Sequence, residues 1–270
     1  MPSESHEPGL GAIVLVGGRS TRMGTSKALL DWHGSTMARR VAGILGRAAW
    51  PVVVVHEQGQ ELPPLPGVEL VADAAPGRGP LEGIAAGMRA LAGRCRCVFV
   101  SGTDLPLLHP EFVRALTRAL DGHQIVAPVA DGRSHPLAAV YRIETLDRIE
   151  VLLADDQLRA MALLESSGAH HVEAGSLPHP ESLRNVNTPR EYARAIAEPE
   201  PEIVVEAIGA AGDRLGFATR PVRAATLGRA VAAAGLEGAL NDLPLTLNGL
   251  PLQPDPATPL VAGDTIAVTS

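Results

Sequence analysis

Residues 11–30 read GAIVLVGGRSTRMGTSKALL. Ile13, Val14, Leu15 and Val16 form an apolar, β-branched run that Gly17 and Gly18 stop, and a polar loop with Arg19, Arg22, Gly24 and Lys27 follows. An apolar run of this length ended by paired glycines predicts a buried strand delivering a loop to one edge of a sheet. Glycines permit positive φ and close backbone approach, so successive N–H groups can face one concavity and bind an anion. Arg22 and Lys27 add full positive charge. The chemistry this predicts is that of a polyphosphate cradle. Among 23 basic residues, Lys27 is the one lysine. An arginine-rich composition would leave that to chance; the functional reading is a position that needs a compact ammonium, which a planar guanidinium does not replace.

Working outward, a helical pattern runs from about residue 35 to 47 (Met37, Val41, Ile44, Leu45), and Val52–Val55 is a continuous apolar strand ending at His56. A second short strand ends at Asp73, and a second glycine-rich loop (Gly77, Gly79, Gly83) leads into a helix of small residues to about Leu91. Cys97–Ser101 is a strand that stops at Gly102-Thr103-Asp104-Leu105-Pro106. Further strands are expected at 125–127, 137–141 and 170–173, with helices at 111–120, 144–153, 157–166 and 189–197. Thr188 stands where it can cap the last of these, with Pro189 at the first helical position. Strands alternating with helices predict a Rossmann-like α/β domain with a mostly parallel sheet. In such sheets ligands bind outside the carboxyl ends of the strands, where both glycine loops and the GTDLP turn fall.

Composition bounds the rest. At 270 residues the chain is one large domain or two smaller ones, and 46% hydrophobic with 20% charged residues is ordinary for a globular chain. Aromatics are only 3%, so the core is expected to be aliphatic. A net charge of −7 argues against a nucleic-acid binder. No run is long and apolar enough to span a membrane, and residues 1–9 read as a loose polar tail. Cys95 and Cys97 are read as free thiols, and their scarcity suits a cytoplasmic location. Glu198-Pro-Glu-Pro-Glu202 reads as a stiff, solvated linker between a domain at 10–197 and a small α+β domain at 203–270.

Asp104 closes a strand at the top edge of the sheet. One carboxylate plus substrate phosphates is the usual way magnesium is held; the other reading is an Asp that forms a turn or caps the following helix. Asp73 has a similar address and the same two readings. His56 is either a surface or a site residue.

The motifs LVGGRSTRMGTSKALL (15–30), GPLEGI (79–84), TDLP (103–106), HPLAAVYR (135–142) and NVNTP (185–189) together resemble the nucleotidyltransferases that act on molybdenum cofactor, in their guanylyltransferase branch. The resemblance implies magnesium-dependent transfer of GMP from GTP to the terminal phosphate of molybdopterin, with release of pyrophosphate. It also implies nucleotide contacts at Leu15, Val16, Gly17, Gly18, Lys27, His56, Asp73 and Asp104, with Lys27 on the phosphates and Asp104 on Mg2+. Arg22 and Asn187 match positions near the reacting groups, and His135 and Asn187 are assigned to the pterin side. Val16, Ser26, His56 and Thr103 depart from the usual residues, and His56 leaves open cytidylyl transfer to the same cofactor. A non-catalytic pterin carrier is a further alternative. Residues 226–235, 245–249 and 259–268 resemble the ubiquitin-like β-grasp sulfur carriers of molybdopterin synthesis without their terminal Gly-Gly, which implies a docking role toward other proteins of cofactor synthesis.

Overall fold

The computed structural model describes residues 9–17, 26–73, 75, 77–236 and 244–269. By contacts the chain forms two compact units, one of residues 1–30 and 37–189, the other of residues 31–36 and 190–270.

Strand β1 (Leu10–Leu15) is the apolar run, and β2 (Asp31–Trp32) and β3 (Ser35–Thr36) form a small hairpin that belongs to the second unit. The first unit continues with α1 (Met37–Leu45), β4 (Val52–Glu57), β5 (Glu69–Asp73), α2 (Pro80–Leu91) and β6 (Cys97–Gly102). Next come α3 (Pro110–Arg118), β7 (Ile125–Ala130), β8 (Arg133–Ser134) and β9 (Ala138–Arg142). Helices α4 (Thr145–Ala154) and α5 (Ala160–Ser166) and strand β10 (His170–Glu173) complete it.

These strands form an eight-stranded sheet in the order β10-β7-β9-β6-β1-β4-β5, with β8 paired to β7. The pairs β1–β4, β1–β6, β4–β5 and β7–β10 are parallel; β9 runs antiparallel between β6 and β7. The fold is thus an α/β fold with a mostly parallel central sheet. Val53, Val55, Val98 and Val100 pack under Leu81, Ile84 and Met88 of α2 in an aliphatic core. Gly87 makes that packing possible, because a Cβ there would lie 2.7 Å from the Ile13 side chain. Close helix–strand contact across a glycine holds β1 against α2.

The helix expected from residue 35 begins instead at Met37. The residues ahead of it turn: His33 and Gly34 both have positive φ, at 52° and 90°, the conformation that joins two antiparallel strands most tightly.

The second unit contains α6 (Pro189–Ile196, from Arg190 onward), β11 (Glu202–Ile208), α7 (Ala210–Leu215), β12 (Thr219–Arg223) and α8 (Leu227–Ala234). It ends with β13 (Leu245–Leu247), β14 (Leu250–Leu252) and β15 (Thr265–Thr269). Its sheet has the order β12-β11-β15-β13-β14, with β11 and β15 parallel and the other pairs antiparallel. Ile203, Val205, Leu227, Val231, Leu247, Ile266 and Val268 form its own core. Glu200, within the Pro/Glu run, is not solvated. Its side chain is only 11% exposed, accepts from Arg229 Nε and the Ala225 N–H at 2.8 Å, and lies 3.7 Å from His33. Among the described residues no helix is long and apolar enough to cross a membrane.

Candidate active site

A cavity of about 940 Å³ opens at the carboxyl ends of β1, β4, β5 and β6. Leu15, Val16, Gly17, Lys27, His56, Asp73 and Asp104 all line it, together with Gly77, Gly79 and Gly83 of the second glycine loop. Sites of this volume hold ligands the size of a nucleotide.

Lys27 begins a single 3₁₀ turn (Lys27–Leu29) just past the glycine loop. Its ammonium donates to Asn187 Oδ1 at 2.7 Å and stands 3.9 Å from Asp104 Oδ2. Lys27 and Asn187 are 160 positions apart in the chain, and a backbone bond from the Val186 N–H to the Asp104 carbonyl at 2.9 Å brings the Asn187 segment beside Asp104. Asp104 follows β6 in a turn whose Pro106 carbonyl accepts from Nε of Arg40, a buried arginine of α1. Gly102 leaves room for the Asp104 side chain: a Cβ there would sit 2.5 Å from Asp104 Oδ1, so the carboxylate would have to move aside. The carboxylate is therefore folded back over the end of its own strand.

Electrostatics follow from burial. Desolvation raises the Asp104 carboxyl above the ordinary range for an aspartate; the Lys27 charge opposes this but does not cancel it. His135 is lowered by burial, with Asp131 and Asp104 pulling the other way. The structure thus brings His135 within electrostatic reach of Asp104, in a turn where its N–H donates to the Pro128 carbonyl. His56 reaches the cavity wall with Nδ1 2.8 Å from the Glu57 carbonyl. Asp73 Oδ1 accepts from the Ala75 N–H at 2.9 Å, so its turn-forming role is real, and the residue also lines the cavity. Gly18 and Arg22 lie outside the described residues.

Three contributors were not singled out from sequence. Glu57, the last residue of β4, lines the cavity one strand away from Val16. Gln60 donates to the Val16 carbonyl at 3.1 Å and accepts from the Glu57 N–H at 3.0 Å, bracing β4 to the start of the glycine loop. Arg40 is the third. Sequence carries a signal only for Arg40, a charge on the buried face of an amphipathic helix.

The α/β fold with a nucleotide-sized cavity at the strand ends, lined by Lys27 and Asp104, is matched by a family of nucleotidyltransferases. Residues 12–172 match the MobA-like NTP transferase domain, and the chain belongs to that family. It is 40% identical over 190 residues to the Mycobacterium ulcerans protein named "Probable molybdenum cofactor guanylyltransferase", an alignment covering 68% of this chain and 92% of the relative. The protein of the same name from Mycobacterium tuberculosis is also 40% identical, over 184 residues, 66% of this chain and 89% of that one. Molybdopterin-guanine dinucleotide biosynthesis protein A of Archaeoglobus fulgidus has the same fold, with a TM-score of 0.57 at 23% identity over 68% of this chain and 96% of that one.

Proposed function

We propose that this chain transfers GMP from GTP to the terminal phosphate of molybdopterin, in a magnesium-dependent reaction that releases pyrophosphate. The observation that carries the reading is the meeting of Lys27 and Asp104 at the cavity wall, with the Lys27 ammonium donating to Asn187. The names of the 40% identical relatives supply the acceptor and the base.

In this reaction an oxygen of the acceptor phosphate forms a bond to the α-phosphorus of GTP, and the bond from that phosphorus to the bridging oxygen of pyrophosphate breaks. A phosphate monoester is already ionised near neutral pH, so its oxygen needs no general base to become a nucleophile. What the protein must supply is position and charge balance. Lys27 places its ammonium against the negative charge that builds on the leaving pyrophosphate, and Asn187 keeps that ammonium aimed. Asp104 fits magnesium: it is a hard oxygen donor whose burial leaves its charge under-compensated, and a single carboxylate plus substrate phosphates is a normal set for that ion. When bound there, magnesium would screen the phosphate oxygens and draw charge from the leaving group. Asp104 and His56 flank the phosphate and base ends, and His135 and Asn187 shape the pterin side.

The base end follows from the sheet. Strands lie about 4.8 Å apart, so β4 stands roughly 10 Å from β6, the reach of a nucleotide from α-phosphate to base edge. Val53 and Val55 pack under α2, and strand alternation turns Glu57 to the same face at the cavity rim. Guanine presents N1–H and its 2-amino group side by side, two donors for one carboxylate; cytosine presents one. Glu57 is accordingly assigned to reading guanine. Transfer rates with GTP, CTP and XTP test both assignments. The wild-type chain is expected to prefer GTP over CTP, and Glu57→Gln to lose about 10–100-fold in kcat/KM for GTP while gaining on XTP, whose 2-oxo group suits an amide donor. A wild-type preference for CTP would sink guanylyl transfer. An unchanged GTP-to-XTP ratio in Glu57→Gln would remove only the role of Glu57.

For the second unit, the proposal is a β-grasp, ubiquitin-like domain that docks other proteins of cofactor synthesis. Its support is the sheet order β12-β11-β15-β13-β14 with parallel central strands and α8 packed on one face. Titration of the purified chain with a purified molybdopterin synthase checks it; equal affinity for a variant with charge reversals along exposed β12 and for wild type would contradict it. The reading includes a cytoplasmic location, supported by the free thiols of Cys95 and Cys97.

A further inference from the structure

Two His-Pro-Glu tripeptides occur in this chain, His109-Pro110-Glu111 and His179-Pro180-Glu181. Each opens a helical turn: the first starts α3, the second a 3₁₀ turn at Pro180–Leu183. The fold sets them against each other. The two imidazoles stack with centroids 3.5 Å apart and planes inclined by 16°. His179 is held at φ 53°, a left-handed conformation that costs energy outside glycine and is kept only where the surroundings enforce it. Its Nδ1 lies 3.1 Å from Glu181 Oε1, and its Nε2 faces Glu111 Oε2 at 3.9 Å.

We propose that His109, Glu111 and His179 form a binding site for a zinc-class divalent ion, separate from the nucleotide cavity. One ligand atom from each of the three lies within 4.8 Å of the others, before any side chain moves. None of them lines the cavity. Two imidazoles and a carboxylate are the donors that Zn2+ and its neighbours take, whereas magnesium selects oxygen and would not be drawn here. Glu181 has the place of the outer carboxylate that commonly orients a metal-binding histidine through its other ring nitrogen. His179 then offers Nε2. His109 offers the Nδ1 lone pair that now accepts from the Glu111 N–H at a long 3.2 Å, so binding exchanges one weak cap bond for a metal bond. Closing on one ion takes a rotation of the His179 ring out of the stack.

The position gives the ion a consequence. The His109 N–H donates to the buried Ser182 hydroxyl at 3.2 Å, and the Val186 N–H donates to the Asp104 carbonyl. The cluster therefore sits where the segment leading away from Asp104 meets the segment leading to Asn187. A bound ion fastens the two segments that deliver those residues to the cavity.

Titration of the untagged, metal-stripped full chain with Co2+, followed by visible d–d absorption and then displaced by Zn2+, tests the site. One saturable equivalent is expected, together with a Zn2+-dependent rise in the thermal midpoint. His109→Asn keeps a capping side chain and His179→Asn suits a left-handed residue, so both should fold, which the midpoint in chelator verifies. Each should weaken Co2+ binding by at least the roughly 10–100-fold that loss of an outer partner alone costs. Asp104→Asn should leave it unchanged. Absence of saturable Co2+ binding, or binding that survives in the folded double variant His109→Asn/His179→Asn, would overturn the proposal.

Discussion

Asp104 is the residue on which function and stability oppose each other. Burial raises its carboxyl, so the folded state binds that proton more readily than the unfolded chain does. A raised folded-state value means that the associated stability is present below the unfolded pKa and is lost as pH rises through the folded one. At neutral pH the molecule therefore carries an ionised group at a cost. Asp104→Asn should raise the thermal midpoint at neutral pH, by about 2–4 °C for each kcal/mol relieved, and the gain should shrink as the pH falls and wild-type Asp104 protonates. Transfer should be lost at the same time. Melting curves of both chains across acid and neutral pH check this; a variant less stable than wild type at neutral pH would contradict it. Lys27 was legible as chemistry because it is the one lysine and follows a glycine-rich loop, and Asp104 because it stands just past a strand end. Their closeness to Asn187 was legible only through the resemblance, since no local pattern reports a contact across 160 residues. Glu57 was invisible for the opposite reason: a charged residue ending a strand is ordinary, and only the fold shows that it lines the cavity.

Among the elements, β6 and the turn after it do the positioning. β6 is buried along its whole length, Arg40 of α1 holds the turn at Pro106, and Gly102 leaves space for the carboxylate. Gly102→Ala should keep the fold, since its Cβ would meet chiefly the movable Asp104 side chain, but push that carboxylate aside. Displacement of about 1 Å in a reacting constellation costs on the order of 10²-fold in rate, so kcat should fall about that far, with magnesium half-saturation rising alongside. An unchanged kcat and magnesium dependence would show that Asp104 is not held by this contact. The strands β1, β4 and β6 at the middle of the sheet were readable because they are largely apolar runs, whereas the two-residue β8 (Arg133–Ser134) was not. The β2–β3 hairpin was not: its strands are two residues each, too short to show alternation, and its neighbours continue the helical pattern of α1. Glu82, in the GPLEG motif, also proved structural. It is buried between Arg78 at 3.5 Å and Arg89 at 3.7 Å, an ion-pair group on the flank of α2.

The whole molecule is two units, and the order of chemistry along it is simple. A mostly parallel sheet gathers the cavity residues at its carboxyl edge, as the alternation of strands and helices predicted. The second unit has its own core and sheet, and it includes the hairpin that directly follows the turn carrying Lys27 in the chain. Where the first unit ends was not legible, because the Pro/Glu run looks like a solvated spacer while Glu200 is in fact tied down by Arg229 and the Ala225 amide. The central claim concerns the cavity: a lone lysine and an aspartate, braced by Asn187, hold a guanine nucleotide for attack at its α-phosphorus. It is tested most directly by incubating the purified full chain with magnesium, molybdopterin and GTP labelled at the α-phosphate, beside the same reaction with labelled CTP and with Lys27→Ala. Label should pass from GTP into the dinucleotide with one pyrophosphate released per transfer, and Lys27→Ala should be slower by about 10²–10³-fold. Label entering from CTP and not GTP, or equal turnover by Lys27→Ala, would contradict it.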